Sequence, residues 1–123
     1  MSEPIHIQVE TDFIEDQSDA DEERFVFAYT ITIENHGVLS AKLLNRHWVI
    51  RDSNGRTEEV RGEGVIGEQP VIQPGESFSY TSGAILQTDV GTMSGSYHMI
   101  DEDGRPFDAS IPEFVLSIPR TLH

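Results

Sequence analysis

The chain reads as an all-β domain, a sandwich of two antiparallel sheets. Three features predict it. Apolar residues recur at every second position over short segments, turn residues punctuate those segments, and no window of about twelve residues keeps a 3.6-residue period between caps. Ile5, Ile7, Val9 and Phe13 alternate with His6, Gln8, Glu10 and Asp12, as a strand with one buried face requires. Phe25, Phe27, Tyr29, Ile31 and Ile33 repeat that period, with Thr30, Thr32 and Glu34 on the other face. Asn35-His36-Gly37 ends this strand with turn chemistry. Residues 41–52 carry Leu43, Leu44, Trp48, Val49 and Ile50. Asp52-Ser53-Asn54-Gly55-Arg56 then predicts a hairpin, because Asn-Gly tolerates positive φ, and Thr57 to Arg61 is its return strand. Gln73-Pro74-Gly75-Glu76 suits a type II turn before a strand in which Phe78 and Tyr80 alternate with Ser77, Ser79 and Thr81. Met93, Tyr97 and Met99 mark the next strand, and Asp101-Glu102-Asp103-Gly104-Arg105 a second tight hairpin. Phe107 to Ile118 closes the domain, with Pro112 at a kink or an edge. Glu15 to Glu23 is polar almost all round and reads as a solvated acidic loop. About seven or eight strands with regular turn signals fit the immunoglobulin or fibronectin type III kind of sandwich, with a closed barrel as the alternative.

A length of 123 residues suits one domain, with a core over about residues 5–118. Hydrophobic residues at 37% are enough for a packed core. No run of about 18 apolar residues predicts a membrane helix, and Met-Ser-Glu-Pro-Ile-His lacks the basic and apolar regions of a secretory signal. A cytoplasmic location is the simplest expectation. With no cysteine, disulfides, thiolate metal sites and cysteine nucleophiles are excluded. The formal charge of −14 repels phosphate backbones and so disfavours nucleic acid, while it favours solubility, cations or basic partners.

Residues 61–70, Arg61-Gly62-Glu63-Gly64-Val65-Ile66-Gly67-Glu68-Gln69-Pro70, stand apart. Gly62, Gly64 and Gly67 are spaced as Gly-x-Gly-x-x-Gly, which in dinucleotide-binding folds lets backbone amides approach a pyrophosphate at a helix start. Here Pro70 and Pro74 follow, so no helix is expected to open from Gly67, and Glu63 and Glu68 place negative charge where phosphate would lie. A tight, bulged β-connection using glycine's conformational range is the better reading.

The same residues carry a family likeness. Arg46-His47-Trp48-Val49-Ile50 with Asp52 and Gly55, then Val60 to Val65 and Gly67-Glu68-Gln69-Pro70, resemble the ApaG family, also called CorD. The likeness continues through Pro74-Gly75, Tyr80-Thr81-Ser82-Gly83, Gly91-Thr92-Met93, Gly95, Tyr97, Ile111-Pro112 and Phe114. The resemblance implies a fibronectin type III-like sandwich and a loose genetic connection to cobalt and magnesium efflux or resistance, with no established molecular activity. Similar domains in eukaryotic F-box proteins and a polymerase-interacting protein imply protein–protein contact. The family brings no catalytic residues to carry over.

The remaining motifs are weaker than their plain structural readings. His6, His36, His47, His98 and His123 show neither i, i+4 pairing nor HExxH spacing. Asp52-x-Asn54 and Asp101-x-Asp103-Gly104 resemble calcium loops but lack a glycine at the sixth position, and hairpin turns explain both. The acidic loop gathers Mg²⁺ or Co²⁺ only weakly by charge. No Gly-x-Ser-x-Gly elbow presents a serine. Trp48 is expected in the core, with a place in a binding patch beside His47 as the alternative. Arg46, Arg51, Arg56 and Arg61 are half of the eight basic residues and gather around one hairpin, which suits an anionic ligand or, more simply, ion pairs with Glu58, Glu59 or Glu63. The expectation is therefore a non-enzymatic interaction module with no cofactor, partnered by another protein and neither by nucleic acid nor by membrane insertion. Its candidate binding loop is Arg61, Gly62, Glu63, Gly64, Gly67, Glu68 and Gln69, with Arg46, His47, Trp48, Arg51 and Arg56 as neighbours. Pyrophosphate, nucleotide or divalent-cation binding at the loop is the alternative, hydrolysis ranks last, and homodimerisation through an edge strand stays open.

Overall fold

A computed structural model describes residues 4–119, so His123 lies outside the described residues. Eight strands build it: β1 (Ile5–Phe13), β2 (Phe25–Asn35), β3 (Ala41–Asp52), β4 (Thr57–Glu63), β5 (Val71–Ile72), β6 (Ser77–Leu86), β7 (Val90–Asp101) and β8 (Pro106–Ser117). They form two antiparallel sheets, one ordered β1-β2-β6 and the other β4-β3-β7-β8, with β5 pairing the start of β3. The sandwich expected from alternation is the observed fold. Its sheets approach each other through β1 and β8 on one side, which leaves β6 and β4 to flank the opposite, open side.

The core lies between the inward faces. Phe27, Tyr29, Ile31 and Ile33 of β2 meet Leu43 and Trp48 of β3, Met93, Tyr97 and Met99 of β7, and Leu116 of β8, all buried. Each such aliphatic or aromatic side chain contributes about 1.5–3 kcal/mol by leaving water. Trp48 is a core residue at 2% exposure, edge-on to Tyr29 and Phe114 with ring centroids 5.4 Å and 5.9 Å away. Two bulges interrupt the large sheet, between Leu43 and Asn45 and between Met93 and Gly95. The second lies opposite Pro112, in edge strand β8.

Both hairpins use one device. Asp52 Oδ1 accepts from Asn54 N and Arg56 N at 2.9 Å each, and Asp101 Oδ1 accepts from Asp103 N at 2.9 Å and Arg105 N at 3.1 Å. The turns therefore engage Asp52 and Asp101, the leading carboxylate of each calcium-like segment. Only Gly55 of the Asn-Gly pair takes positive φ, at +84°. The expected type II turn forms, with Glu76 N donating to Gln73 O at 2.9 Å and Gly75 at φ +82°.

Two sequence expectations need correction. The return strand runs to Glu63, two residues beyond Arg61, because Gly62 and Glu63 stay in register with Arg46 and Asn45. The acidic loop is solvent-facing as expected but locally ordered, with 3-10 turns at Glu15–Gln17 and Ala20–Glu22. Ser18 ties it down, donating from Oγ to Ile14 O at 2.8 Å and accepting from Val26 N at 2.9 Å.

Candidate functional site

The glycine segment forms a shoulder where β4 leaves the large sheet. Gly64 N donates to Leu44 O at 2.8 Å, and Val65 and Glu68 exchange backbone bonds of 2.8 Å and 2.9 Å around a tight turn. Val65 is fully buried and anchors the turn from below. Gln69 Nε2 donates to Leu44 O at 3.0 Å. The tight β-connection expected from the glycines is thus observed.

Its glycines serve different ends. Gly64 has φ +64°, and a Cβ there would lie 2.2 Å from Glu68 O. Gly62 has no positive φ; a Cβ there would meet the Arg46 guanidinium at 2.7 Å. That guanidinium lies over Gly62 because Arg46 Nη1 donates to Glu63 O at 3.2 Å and Gly64 O at 2.9 Å. Arg46 is a brace for the shoulder, with its charge turned toward backbone carbonyls.

The tip of the turn is unusual. Ile66 has φ +43°, left-handed backbone that a β-branched side chain avoids, and it is 57% exposed. Gly67, at φ +80°, follows it. Asparagine before glycine is the usual pair for such a turn. Ile66 and Gly67 wall a cleft of about 310 Å³ with Tyr80 and Ser82 of β6 opposite and Tyr29 and Trp48 at its base. A second cleft, of about 210 Å³, continues along the same open side between Ile50, Arg56 and Glu58 and the Ile85–Gln87 end of β6.

Strand register disperses the expected arginine cluster. Arg46 faces the open cleft, whereas Arg61 pairs across to His47 and points to the outer face of the large sheet with Arg51. Period-two alternation causes this split, since Arg46 and Arg51 are five residues apart on one strand and Arg61 pairs with His47, the neighbour of Arg46. Arg56 lies on the hairpin and bonds Gln87 Oε1. Of the expected ion pairs, Arg61 reaches Glu59 at 3.7 Å; such an exposed pair contributes at most about 1 kcal/mol. Glu63 and Glu68 are exposed beside the shoulder.

On that outer face a shallow polar groove of about 610 Å³ is lined by Asn45, His47, Arg61, Ser96, His98 and Asp108, among others. His47 Nε2 donates to Glu59 Oε1, and His98 Nδ1 to Asp108 Oδ1, each at 2.9 Å. No group of three or more histidine or acidic side chains is placed to hold a metal ion among the described residues. Among them, too, no helix is long and apolar enough to cross a membrane.

Sequence reasoning passed over Ile66, Tyr80, Ser82 and Ile85. For Ile66 a signal existed, since an aliphatic residue stands where an Asn-Gly turn would have asparagine. The others needed the strand order.

Fold and shoulder together define an antiparallel β-sandwich with a braced glycine turn beside an open inter-sheet cleft. The ApaG domain family matches residues 15–101. The chain is 57% identical over 119 residues to Protein ApaG of Thiobacillus denitrificans, covering 97% of this chain and 94% of that one. It is 54% identical over 126 residues to Protein ApaG of Pseudomonas entomophila, covering all of both. A crystal structure of a Bordetella pertussis protein given the name ApaA superimposes with a TM-score of 0.92 at 47% identity, covering 95% of each chain. The chain belongs to the ApaG family.

Proposed function

We propose that this protein is a non-enzymatic interaction module that engages another protein through the glycine shoulder. The observation that carries this reading is Ile66, a β-branched residue in left-handed backbone, exposed at the tip of a turn in which Val65 and Glu68 exchange backbone bonds. Such a conformation costs on the order of 1–3 kcal/mol and persists where the surroundings over-determine it, most often at binding sites. An apolar side chain fixed in solvent gains free energy when a partner buries it. The cation-efflux connection of the family then works through the partner, in the cytoplasm, without a metal held by this chain.

The alternative, pyrophosphate, nucleotide or a divalent cation at the glycines, draws support from their spacing alone. Against it, the amides of Gly64, Val65 and Glu68 already donate to backbone oxygens, so they have no N–H free for a phosphate.

Ile66→Asn tests the reading, because asparagine tolerates left-handed backbone and removes the apolar contact. Proteins captured by immobilised wild type and lost with Ile66→Asn should bind again when both components are purified. If both forms capture the same proteins equally, the reading fails. Adding ATP or pyrophosphate to isotope-labelled protein tests the alternative, which requires the Ile66 and Gly67 amide resonances to shift.

A further inference from the structure

We infer that β6 is a receptor edge: an extended, neutral-to-basic segment of the partner adds to it as a fourth strand of the small sheet. This inference rests on the interaction-module reading and names its surface. Proteins disable sheet edges with charges, prolines, bulges or cover, because an unpaired row of N–H and C=O groups recruits other strands. Three of the four edges of this sandwich are disabled. β1 carries Glu10 and Asp12 and lies beside β8. β4 carries Glu58, Glu59, Arg61 and Glu63 within its seven residues. β8 has Pro106, Pro112 and the bulge opposite Met93 and Gly95.

β6 has none of these devices. Its ten residues, Ser-Phe-Ser-Tyr-Thr-Ser-Gly-Ala-Ile-Leu, include no charge and no proline. It pairs β2 without a register shift from Ser77 to Leu86, and among the described residues no strand pairs its other side. Hydroxyl pairs Thr30–Thr81 and Thr32–Ser79, each 2.8 Å, stiffen it from the solvent face. A long, regular, uncharged edge is a liability unless something is meant to pair with it.

The surroundings choose the occupant. A strand laid along β6 would run over the two clefts on the open side, where Tyr80, Ser82 and Leu86 face inward toward the shoulder and β4, while Ile85 stands at the cleft rim on the solvent face with Ser79 and Thr81. Ile66, 57% exposed at the cleft, and Ile85, 55% exposed on the solvent face, stand ready for apolar side chains on the two opposite faces of the incoming strand. The opposite bank is mixed in charge, with Glu58 and Glu63 beside Arg46 and Arg56, so the charge of the whole chain chooses between occupants. A second copy of this chain would bring a further −14 of charge; a basic segment of a different protein is attracted and a neutral one escapes that repulsion.

Photo-cross-linking in cells tests this, with p-benzoylphenylalanine placed singly at Ser79, Ile85, Ile66, Glu10 or Val115. Positions 79 and 85 should cross-link one other protein, positions 10 and 115 should not, and mass spectrometry should place the joined residues in a single proline-free segment of neutral or positive charge. Ile85→Lys, which adds a natural edge-blocking charge, should lower affinity for a synthetic peptide of that segment at least tenfold without moving the unfolding midpoint. Cross-links at 66 alone would overturn the edge assignment while leaving the interaction module standing. Cross-links to a second copy at 79 and 85 would overturn it in favour of self-association. No cross-links at any position would count against both.

Discussion

The Tyr80 and Tyr97 hydroxyl oxygens lie 2.5 Å apart, in a hydrogen bond that crosses the interior from β6 to β7. It ties the proposed receptor strand to the middle of the opposite sheet. Tyr97 is fully buried and Tyr80 nearly so. Burial raises both ionisations, Tyr80 to about 12 and Tyr97 further. Removing one hydroxyl leaves the other short of a partner, and an unsatisfied buried hydroxyl costs about 1–3 kcal/mol. Tyr80→Phe and Tyr97→Phe should each lower the urea unfolding free energy by that order, and the double variant by less than their sum. Additive losses would show that the pair is not coupled.

The same shifts fix a pH dependence. A tyrosine in the unfolded chain loses its proton near its ordinary value of 10, before Tyr80 does in the folded chain at about 12. Above that lower value the unfolded state binds fewer protons, so stability falls as pH rises. The contribution is fully present below pH 10 and is lost as pH climbs toward about 12. Urea midpoints recorded from pH 8 to 11 should therefore decline only beyond about pH 10, and less steeply in the double phenylalanine variant.

Gly64 and Gly67 both have positive φ but differ in their surroundings. Gly67→Ala meets nothing within 4 Å and should cost about 1 kcal/mol from backbone conformation alone. Gly64→Ala adds a collision with Glu68 O, and it should cost at least about 2 kcal/mol more. Thermal unfolding of the two variants reads the difference directly.

Ile66→Asn should raise stability or leave it unchanged, by up to about 1 kcal/mol, since it relieves a β-branched residue of left-handed backbone. Together with loss of partner binding, that is a stability–function trade. A destabilised Ile66→Asn would mean that the side chain is needed for packing rather than display.

Arg46 donates to two carbonyls of the shoulder, so Arg46→Ala should cost about 1–3 kcal/mol. It should also speed hydrogen exchange at Gly64, Val65 and Glu68 ahead of the strands. Arg46→Lys, without a planar fork to lie over Gly62, should restore only part of that protection.

Much of the fold was legible in the sequence because antiparallel strands with one wet face write their period into it; β1, β2 and β6 are the clearest cases. The large sheet was harder. Leu43, Leu44, Trp48, Val49 and Ile50 look like one apolar run, but the bulge after Leu43 shifts the alternation, so Arg46 faces the cleft and Asn45 and His47 face out. A bulge of that kind has no local sequence mark here. Gly62 looked like part of a phosphate cradle, and its real need, room for the Arg46 side chain from the neighbouring strand, is a tertiary fact. The exposed edge of β6 depends on strand order, which alternation does not encode.

Hydrogen exchange in the purified complex with the cross-linked partner puts the recognition surface to its sharpest test. Strand addition requires amides of β6 between Ser77 and Leu86 to slow at least tenfold on binding, together with Ile66 and Gly67, while β1 and β8 keep their free-state rates. A stoichiometric complex in which β6 exchanges as in the free protein would contradict it.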